Sequence, residues 1–256
     1  MSAMTHEIPL LEYDDGQGAV IMPDHEQLEL HLPKKAVLAF LDDRVDRYAQ
    51  EHDCPVLGKF KTITKRFPIY GVNCGGQEIC LCQAPLGAPA AVQLMDWLIG
   101  YGVKQVVAVG SCGALENIPE NTFLVPVRAL REEGTSYHYL PPTRFVDTSE
   151  KVRVAIREAL QDNGLHVREC ITWTTDGFYR ETREKVERRK AEGCAVVEME
   201  CAALAACAQF RQAEFGQMLF TADSLADTER YQERGWGRDS HELALRLALE
   251  AAARME

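Results

Sequence analysis

Short apolar runs alternate with stretches of helical periodicity along most of the chain. Runs rich in apolar and β-branched residues predict strands at 36–41, 59–64, 67–72, 77–83, 104–109, 121–130, 167–174, 194–197 and 216–221. Amphipathic or alanine-rich segments predict helices at 90–101, 150–163, 180–190, 201–210 and 240–254, with one more beginning after the acids at 42–43.

Strands that alternate with helices are typical of α/β proteins. We therefore predict a single-domain α/β fold over 1–256, with a central, mixed and largely parallel β-sheet flanked by helices. Short links between the strands of 59–83 indicate that this part of the sheet is antiparallel or mixed. Residues 1–33 are weakly patterned and interrupted by glycine and proline, so we expect an N-terminal arm with a short helix at 24–32.

Charge and hydropathy narrow the range of partners. The formal net charge of -11 argues against nucleic acid as the main partner. An anionic substrate is still compatible, because a local arginine pocket can outweigh the field of the whole protein. The acidic N-terminus has no apolar core like that of a signal peptide, and no apolar run is long enough to cross a membrane.

Cysteine usage indicates a reducing compartment. The chain has nine cysteines, an odd number, with no secretory signal and no C-x-x-C pair. Seven of them lie in or beside apolar segments, where cysteine behaves as a small hydrophobic residue. We therefore expect a cytoplasmic protein without a structural disulfide or a metal site.

Polar groups follow the predicted strands at the points where those strands end. Four such segments stand out: Gly110-Ser111-Cys112-Gly113, Thr175 to Tyr179, Glu198-Met199-Glu200 and Ala222-Asp223-Ser224. Ligands of open α/β sheets bind outside the carboxyl ends of the strands. The glycines of the first segment leave backbone N–H groups free to meet an anion, and the second segment adds aromatic rings. Together they favour a site for a flat, polar, sugar-bearing ligand.

Each of these residues also has an ordinary structural explanation. Glu198 and Glu200 could be solvated acids at a helix start, where the helix dipole favours them. Asp223 could cap a helix, and Met199, Phe178 and Tyr179 could simply pack. Glu200 is the hardest to explain in this way, because apolar Met199 and Cys201 flank it.

Two segments, 109–114 and, far downstream, 197–200, resemble motifs of the purine nucleoside and uridine phosphorylase superfamily. That superfamily also contains nucleosidases. Three further segments are similar to landmarks of that family. They are Leu86-Gly87-Ala88-Pro89, like its Gly-x-Pro helix start; Asp176-Gly177-Phe178-Tyr179, like its base-pocket segment; and Thr221-Ala222-Asp223, like the segment with its catalytic aspartate. The resemblance covers about residues 36–254.

The resemblance implies a role for each matched residue. Cleaving a ribosyl–base bond passes through an oxocarbenium-like sugar. Glu200 would engage the sugar hydroxyls, and Asp223 would protonate the departing base. Ser111 would help to bind phosphate, and Met199 would pack on the ribose. The remaining substrate contacts implied are Gly87, Gly110, Thr175, Phe178, Tyr179 and Glu198.

Two departures from the family concern the phosphate site. Ala108 stands where the phosphorylases usually carry an arginine, and 39–44 lacks their Pro-Gly-Asp-Pro-type loop. Alanine cannot replace a bidentate guanidinium clamp. Arg44 is the expected substitute cation. Arg47, Lys65 or Arg66 could also compensate, the last two from a neighbouring subunit.

Three functions follow from the resemblance. The first is a nucleoside phosphorylase, purine-leaning, with inorganic phosphate as co-substrate and no cofactor. The second is a nucleoside hydrolase that uses water, which Ala108 favours. The third is a nucleoside-binding protein without turnover, against which the joint presence of Ser111, Glu200 and Asp223 argues. The resemblance also implies a homo-oligomer, from dimer to hexamer, without nucleic-acid or membrane partners.

Overall fold

The computed structural model describes residues 5–256, so the first four residues of the predicted arm lie outside it. The sheet has ten strands: β1 (Lys35–Phe40), β2 (Val56–Lys61), β3 (Arg66–Cys74), β4 (Gln77–Gln83), β5 (Gln105–Ala114), β6 (Phe123–Glu132), β7 (Phe145–Asp147), β8 (Glu169–Thr175), β9 (Cys194–Glu198) and β10 (Glu214–Ser224). The α-helices are α1 (Arg44–Glu51), α2 (Ala88–Gly100), α3 (Glu150–Asp162), α4 (Arg183–Ala191), α5 (Cys201–Phe210) and α6 (His241–Arg254).

Five of the strands close into a ring. The strand order is β10-β6-β8-β9-β5-β1-β4-β3-β2, and β10 also pairs with β5, which joins β5, β10, β6, β8 and β9 in a circle. From β5 the sheet continues as an open wing of β1, β4, β3 and β2. Strand β5 is parallel to β1 and β10, and β1 is parallel to β4. The antiparallel pairs include β5 with β9, β6 with β10, and β3 with both β2 and β4. The predicted mixed α/β fold is confirmed, including the antiparallel portion within 59–83.

Two apolar layers cover the faces of the sheet. Helices α2 and α5 pack on one face, and α3 and α6 pack on the other. In α5 the small side chains of an alanine-rich segment are almost all buried, which allows the helix to lie close to the sheet. Each large apolar side chain that is fully buried, such as Leu38 or Phe220, stabilises the fold by about 1.5–3 kcal/mol.

Two predictions of local structure are wrong. Strand β5 does not end before Gly110 but continues to Ala114, because β9 and β10 pair with its last residues. A Cβ atom at Gly113 would lie 2.9 Å from a Leu225 methyl and 3.0 Å from a Val197 methyl, so a larger residue there would require these side chains to shift. The helix expected at 24–32 is replaced by turns, since Gln27 adopts a φ of 49°, which a right-handed helix cannot contain.

The cysteines have the surroundings that their sequence context predicts. Seven of the nine are buried: Cys80, Cys82, Cys112, Cys170, Cys194, Cys201 and Cys207. All nine have free thiols. Within residues 5–256, no helix combines the length and apolarity that a membrane span requires.

Candidate active site

A cavity of about 450 Å³ opens where β5, β9 and β10 end. Eight of the residues predicted to form the site line it: Gly110, Ser111, Phe178, Tyr179, Glu198, Met199, Glu200 and Asp223. The four strand-end segments singled out in the sequence therefore meet at one place. The closed ring explains this, because β10 pairs with β5 and β5 pairs with β9.

Glu200 lies at the junction of β9 and α5, and only 5% of its surface is exposed. Its Oε1 atom accepts a hydrogen bond of 2.6 Å from the N–H of Gly87. Gly87 precedes α2 with a φ of 91°, a conformation that favours glycine. Burial and, secondarily, the charge of Glu198 raise the pKa of Glu200 to about 8. Gly87 thus contributes by holding the carboxyl group that lines the cavity.

Glu198 is surrounded by four donors. Its Oε2 atom accepts the N–H groups of Glu200 and Cys201, each at 2.7 Å. Its Oε1 atom accepts the hydroxyls of Thr174 at 2.6 Å and Thr172 at 3.3 Å. Burial raises the pKa of Glu198, while these four hydrogen bonds lower it and favour the carboxylate. Glu198 fixes the turn that carries Glu200, and its predicted contact with substrate stays a prediction.

Asp223 lies in β10 and therefore does not cap a helix. It is 5% exposed, and burial raises its pKa. The Tyr231 hydroxyl donates a hydrogen bond to it and the positive charge of Arg234 acts on it, both opposing that rise. A carboxyl group whose pKa is raised keeps its proton to a higher pH than an ordinary one, and beside an open cavity it can act as a proton donor.

The aromatic segment after β8 projects from the fold. Phe178 is 42% exposed and Tyr179 is 93% exposed, with their rings edge to face at 5.0 Å. Thr175 is buried and does not line the cavity, but its Oγ1 atom accepts the Gly177 N–H at 3.2 Å. It therefore shapes the turn that places the two rings at the cavity mouth.

Ser111 offers the exposed hydroxyl of the β5 segment. The glycine before it is required by packing, because a Cβ at Gly110 would lie 3.0 Å from the Cβ of Phe40. Phe40 itself lines the cavity, so an apolar ring stands beside the hydroxyl.

The structure does not bring Arg44 to this cavity. Arg44 begins α1 and lines a separate cavity of about 390 Å³, together with Arg47, Glu242 and Arg246. Among the residues that the structure describes, no lysine, arginine or histidine lines the main cavity. The assignment of Arg44 to phosphate binding therefore stays a prediction, and the geometry of one chain does not support it. Nor does any group of three or more His, Cys, Asp and Glu residues within 5–256 form a candidate metal site.

The lining residues that were not predicted include Glu181, Gln217 and Trp236. Gln217 is only 1% exposed, and its Oε1 atom has no hydrogen-bond partner within the described chain. A glutamine inside an apolar strand pattern was the one available signal for it. Glu181 and Trp236 belong to polar loop sequence, where no periodicity marks a residue that faces a cavity.

Comparison with known proteins places this geometry in a family. The sequence model of the phosphorylase superfamily matches residues 34–255. A guanosine phosphorylase of Halorubrum lacusprofundi is 26% identical over 221 residues, 81% of this chain and 88% of that protein. A uridine phosphorylase of Haemophilus influenzae is 26% identical over 137 residues, so the match spans about half of that protein, 53%.

The fold has counterparts among solved structures. AMP nucleosidase from Bacteroides thetaiotaomicron superposes with a TM-score of 0.70 at 22% identity, over 87% of this chain and 88% of that one. The superfamily match covers most of the sequence, including every strand and helix that forms the cavity. The chain therefore belongs to the phosphorylase superfamily, the family of nucleoside phosphorylases and nucleosidases.

Proposed function

We propose that the protein cleaves the N-glycosidic bond of a nucleoside, with a preference for purine bases. The observation that carries this proposal is that Glu200 and Asp223 line one cavity, each buried and each with a raised pKa. Ribosyl transfer needs one carboxyl group at the sugar and one at the leaving base. A relative named guanosine phosphorylase supports the purine preference.

Each residue has a defined part in the proposed reaction. Glu200 forms hydrogen bonds with the ribose hydroxyls and, in its ionised form, stabilises the positive charge that develops on the sugar. Met199 packs on the ribose, and the rings of Phe178 and Tyr179 contact the base. As the C1′–N bond breaks, Asp223 donates its proton to the leaving nitrogen. An oxygen of the nucleophile then bonds to C1′.

Phosphate is the first candidate for that nucleophile. The uridine and guanosine phosphorylases are two of the relatives that match this chain, and exposed Ser111 follows a glycine in the segment that resembles the one in phosphorylases. The product would be ribose 1-phosphate. Because no lysine, arginine or histidine among residues 5–256 lines the cavity, we propose that a second copy of the chain supplies the cation. Lys65 and Arg66, at the exposed β2–β3 turn, are the candidates.

Water is the second candidate, and a specific observation favours it. Four carboxyl groups line the cavity: Glu181, Glu198, Glu200 and Asp223. A phosphate dianion would meet the negative charge of each of these groups that is ionised, and no lysine, arginine or histidine among residues 5–256 lines the cavity to offset it. The buried amide of Gln217 is a neutral group that can hold water as readily as phosphate. The product would then be free ribose.

The deciding experiment measures release of free base from guanosine, inosine, adenosine and uridine, with and without phosphate. Release that requires phosphate and yields ribose 1-phosphate supports the phosphorylase. Release without phosphate, yielding ribose, supports the hydrolase. Glu200→Gln should abolish release in either case, and Glu242→Gln, which lies in the separate cavity, is the matched control. Release from no nucleoside overturns the proposed function.

A further inference from the structure

A second cavity, of about 470 Å³, adjoins the main one. Five residues line both cavities: Phe178, Tyr179, Glu181, Asp223 and Trp236. Ser111 and Glu200, which are proposed to meet the nucleophile and the sugar, line only the main cavity. The second cavity therefore begins where the base is proposed to lie, beside Asp223, and continues away from the sugar.

Aromatic rings make up half of the lining of this second cavity. Four of its eight lining residues are aromatic: Phe178, Tyr179, Tyr231 and Trp236. Leu225 adds an aliphatic side chain. Tyr179 is 93% exposed and Tyr231 is 54% exposed, so both rings have surface that a ligand can cover. Covering such surface with an apolar group is favourable, and a second aromatic ring gains further from stacked or edge-to-face contact.

The Trp236 ring is held in place by its own loop. Its Nε1 atom donates a hydrogen bond of 3.0 Å to Oε1 of Glu233. The residues before and after it, Gly235 and Gly237, donate their backbone N–H groups to Oε1 of Glu120 at 2.8 and 2.9 Å. This wall of the second cavity is therefore formed by the folded chain itself, and a ligand need not order it.

Charge narrows the range of groups that fit the second cavity. Three carboxyl groups line it, and among residues 5–256 no lysine, arginine or histidine does. An anionic group would therefore lose water without gaining a counter-charge. Two of the three carboxyl groups already meet donors of the protein, since Glu233 accepts the Trp236 indole and Asp223 accepts the Tyr231 hydroxyl. A neutral apolar group fits this combination of rings and engaged acids.

We propose that the second cavity is a substrate subsite for an apolar, preferably aromatic, substituent on the six-membered ring of a purine. The protein would then cleave purine nucleosides whose base is enlarged at position 2 or 6. This inference rests on the proposed function. Positions 2 and 6 belong to the purine ring that is farther from the glycosidic nitrogen, so a substituent there points away from the sugar. It passes Asp223 and lies among the four aromatic rings.

Three benzylated nucleosides, each compared with its parent, provide the test: N6-benzyladenosine, O6-benzylguanosine and N2-benzylguanosine. For the wild-type protein, kcat/KM of at least one of them should lie within about threefold of the parent's value or above it. A site that is closed at this end would lose about a hundredfold or more. A 4-carboxybenzyl group at the same position should be about tenfold or more poorer than benzyl, because its charge is not offset.

Two variants change residues that line the second cavity alone, Tyr231→Ala and Leu225→Trp. Tyr231→Ala removes an exposed ring and should lower the ratio of benzyl to parent kcat/KM about three- to tenfold. Leu225→Trp fills the cavity and should lower that ratio about tenfold or more. Each ratio is taken within one variant, so the contact of Tyr231 with Asp223 affects both substrates alike. Leu28→Trp, at a leucine outside both cavities that is 39% exposed, is the matched control and should leave the ratio unchanged.

The outcomes separate this inference from the function on which it rests. No base release from any nucleoside, parent or benzylated, contradicts the proposed function itself. Release from the parents with a hundredfold loss for all three benzyl derivatives overturns the inference and leaves the function standing. A ratio that Tyr231→Ala and Leu225→Trp leave unchanged also overturns it, as does equal cleavage of benzyl and carboxybenzyl derivatives. A thermal melt shows whether Leu225→Trp is folded, and if it is not, Tyr231→Ala alone decides.

Discussion

The backbone N–H of Gly87 lies 2.6 Å from Oε1 of Glu200, across 113 positions of sequence. This contact joins the start of α2 to the start of α5, the two helices that pack on one face of the sheet. The carboxyl group at the sugar end of the candidate site is therefore held by a peptide whose conformation favours glycine.

Gly87→Ala tests this relationship. At a φ of 91°, an alanine is strained even though its Cβ would meet no atom within 4 Å. We expect a loss of stability of about 1–2 kcal/mol. The Gly87 N–H should also shift relative to Glu200, so kcat should fall even under conditions in which the variant is fully folded. Gly76→Ala, at a φ of 80° in an exposed turn, is the matched control and should lower stability only.

Glu198→Gln tests whether Glu198 positions Glu200. The amide would turn an N–H₂ group toward either the backbone N–H groups or the threonine hydroxyls, leaving buried donors unpaired. We expect destabilisation of about 1–3 kcal/mol. Activity should fall through kcat, with base preference unchanged. A changed base preference would instead indicate direct contact between Glu198 and the substrate.

Asp223→Asn removes the proposed proton donor while keeping the size of the side chain. Nucleosides with poor leaving bases should slow by about 10²–10⁴, the usual contribution of a general acid. Activated substrates such as p-nitrophenyl riboside, whose leaving group needs no proton, should slow much less. Equal slowing of both classes would contradict the role of Asp223 as an acid.

The pKa of Glu200 predicts a pH dependence of stability. It is about 8 in the folded protein, against 4.5 for an ordinary glutamate. Between these values the folded state keeps a proton that the unfolded state releases, so stability should fall as pH rises from about 5 to 8. Burial, Glu198 and Asp176 raise this pKa, and the N–H groups of Gly87 and Met199 oppose them.

Glu200→Gln removes that titration. Thermal melts from pH 5.5 to 8.5 should show a shallower decline in Tm for the variant than for the wild-type protein. The difference in unfolding free energy over this range should be on the order of a few kcal/mol, since one pKa unit corresponds to about 1.4 kcal/mol. Parallel declines would show that other groups are responsible.

Local patterns predicted more of the fold than of the site. Helix α5 begins and ends at the predicted residues, 201 and 210, because an alanine-rich run after a buried strand strongly favours a helix. Ser111, Glu200 and Asp223 were singled out because each comes after an apolar run of the sequence, and the family resemblance implied their roles. Glu181 could not be found in this way, since its position depends on how a polar loop lies against β10.

Local sequence patterns also did not predict that five of the strands close into a ring. Pairing of β10 with β5 joins Glu214 to Gln105, and no signal within either strand specifies that partner. The continuation of β5 through Gly110 depends on the same distant strands. When two strands lie far apart in the sequence, the packing of the whole core decides whether they pair. The residues of one strand alone do not specify its partner.

The same pairing has a consequence for the growing chain on the ribosome. Part of the cavity lining comes from β5, and another part comes from its neighbour β10, which ends at Ser224. Until β10 has emerged and paired, β5 has an unfilled edge, and Asp223 is not beside Gly113. A nascent chain that stops before β10 exposes this edge to other strands, and ligand cannot rescue it because no complete site yet exists.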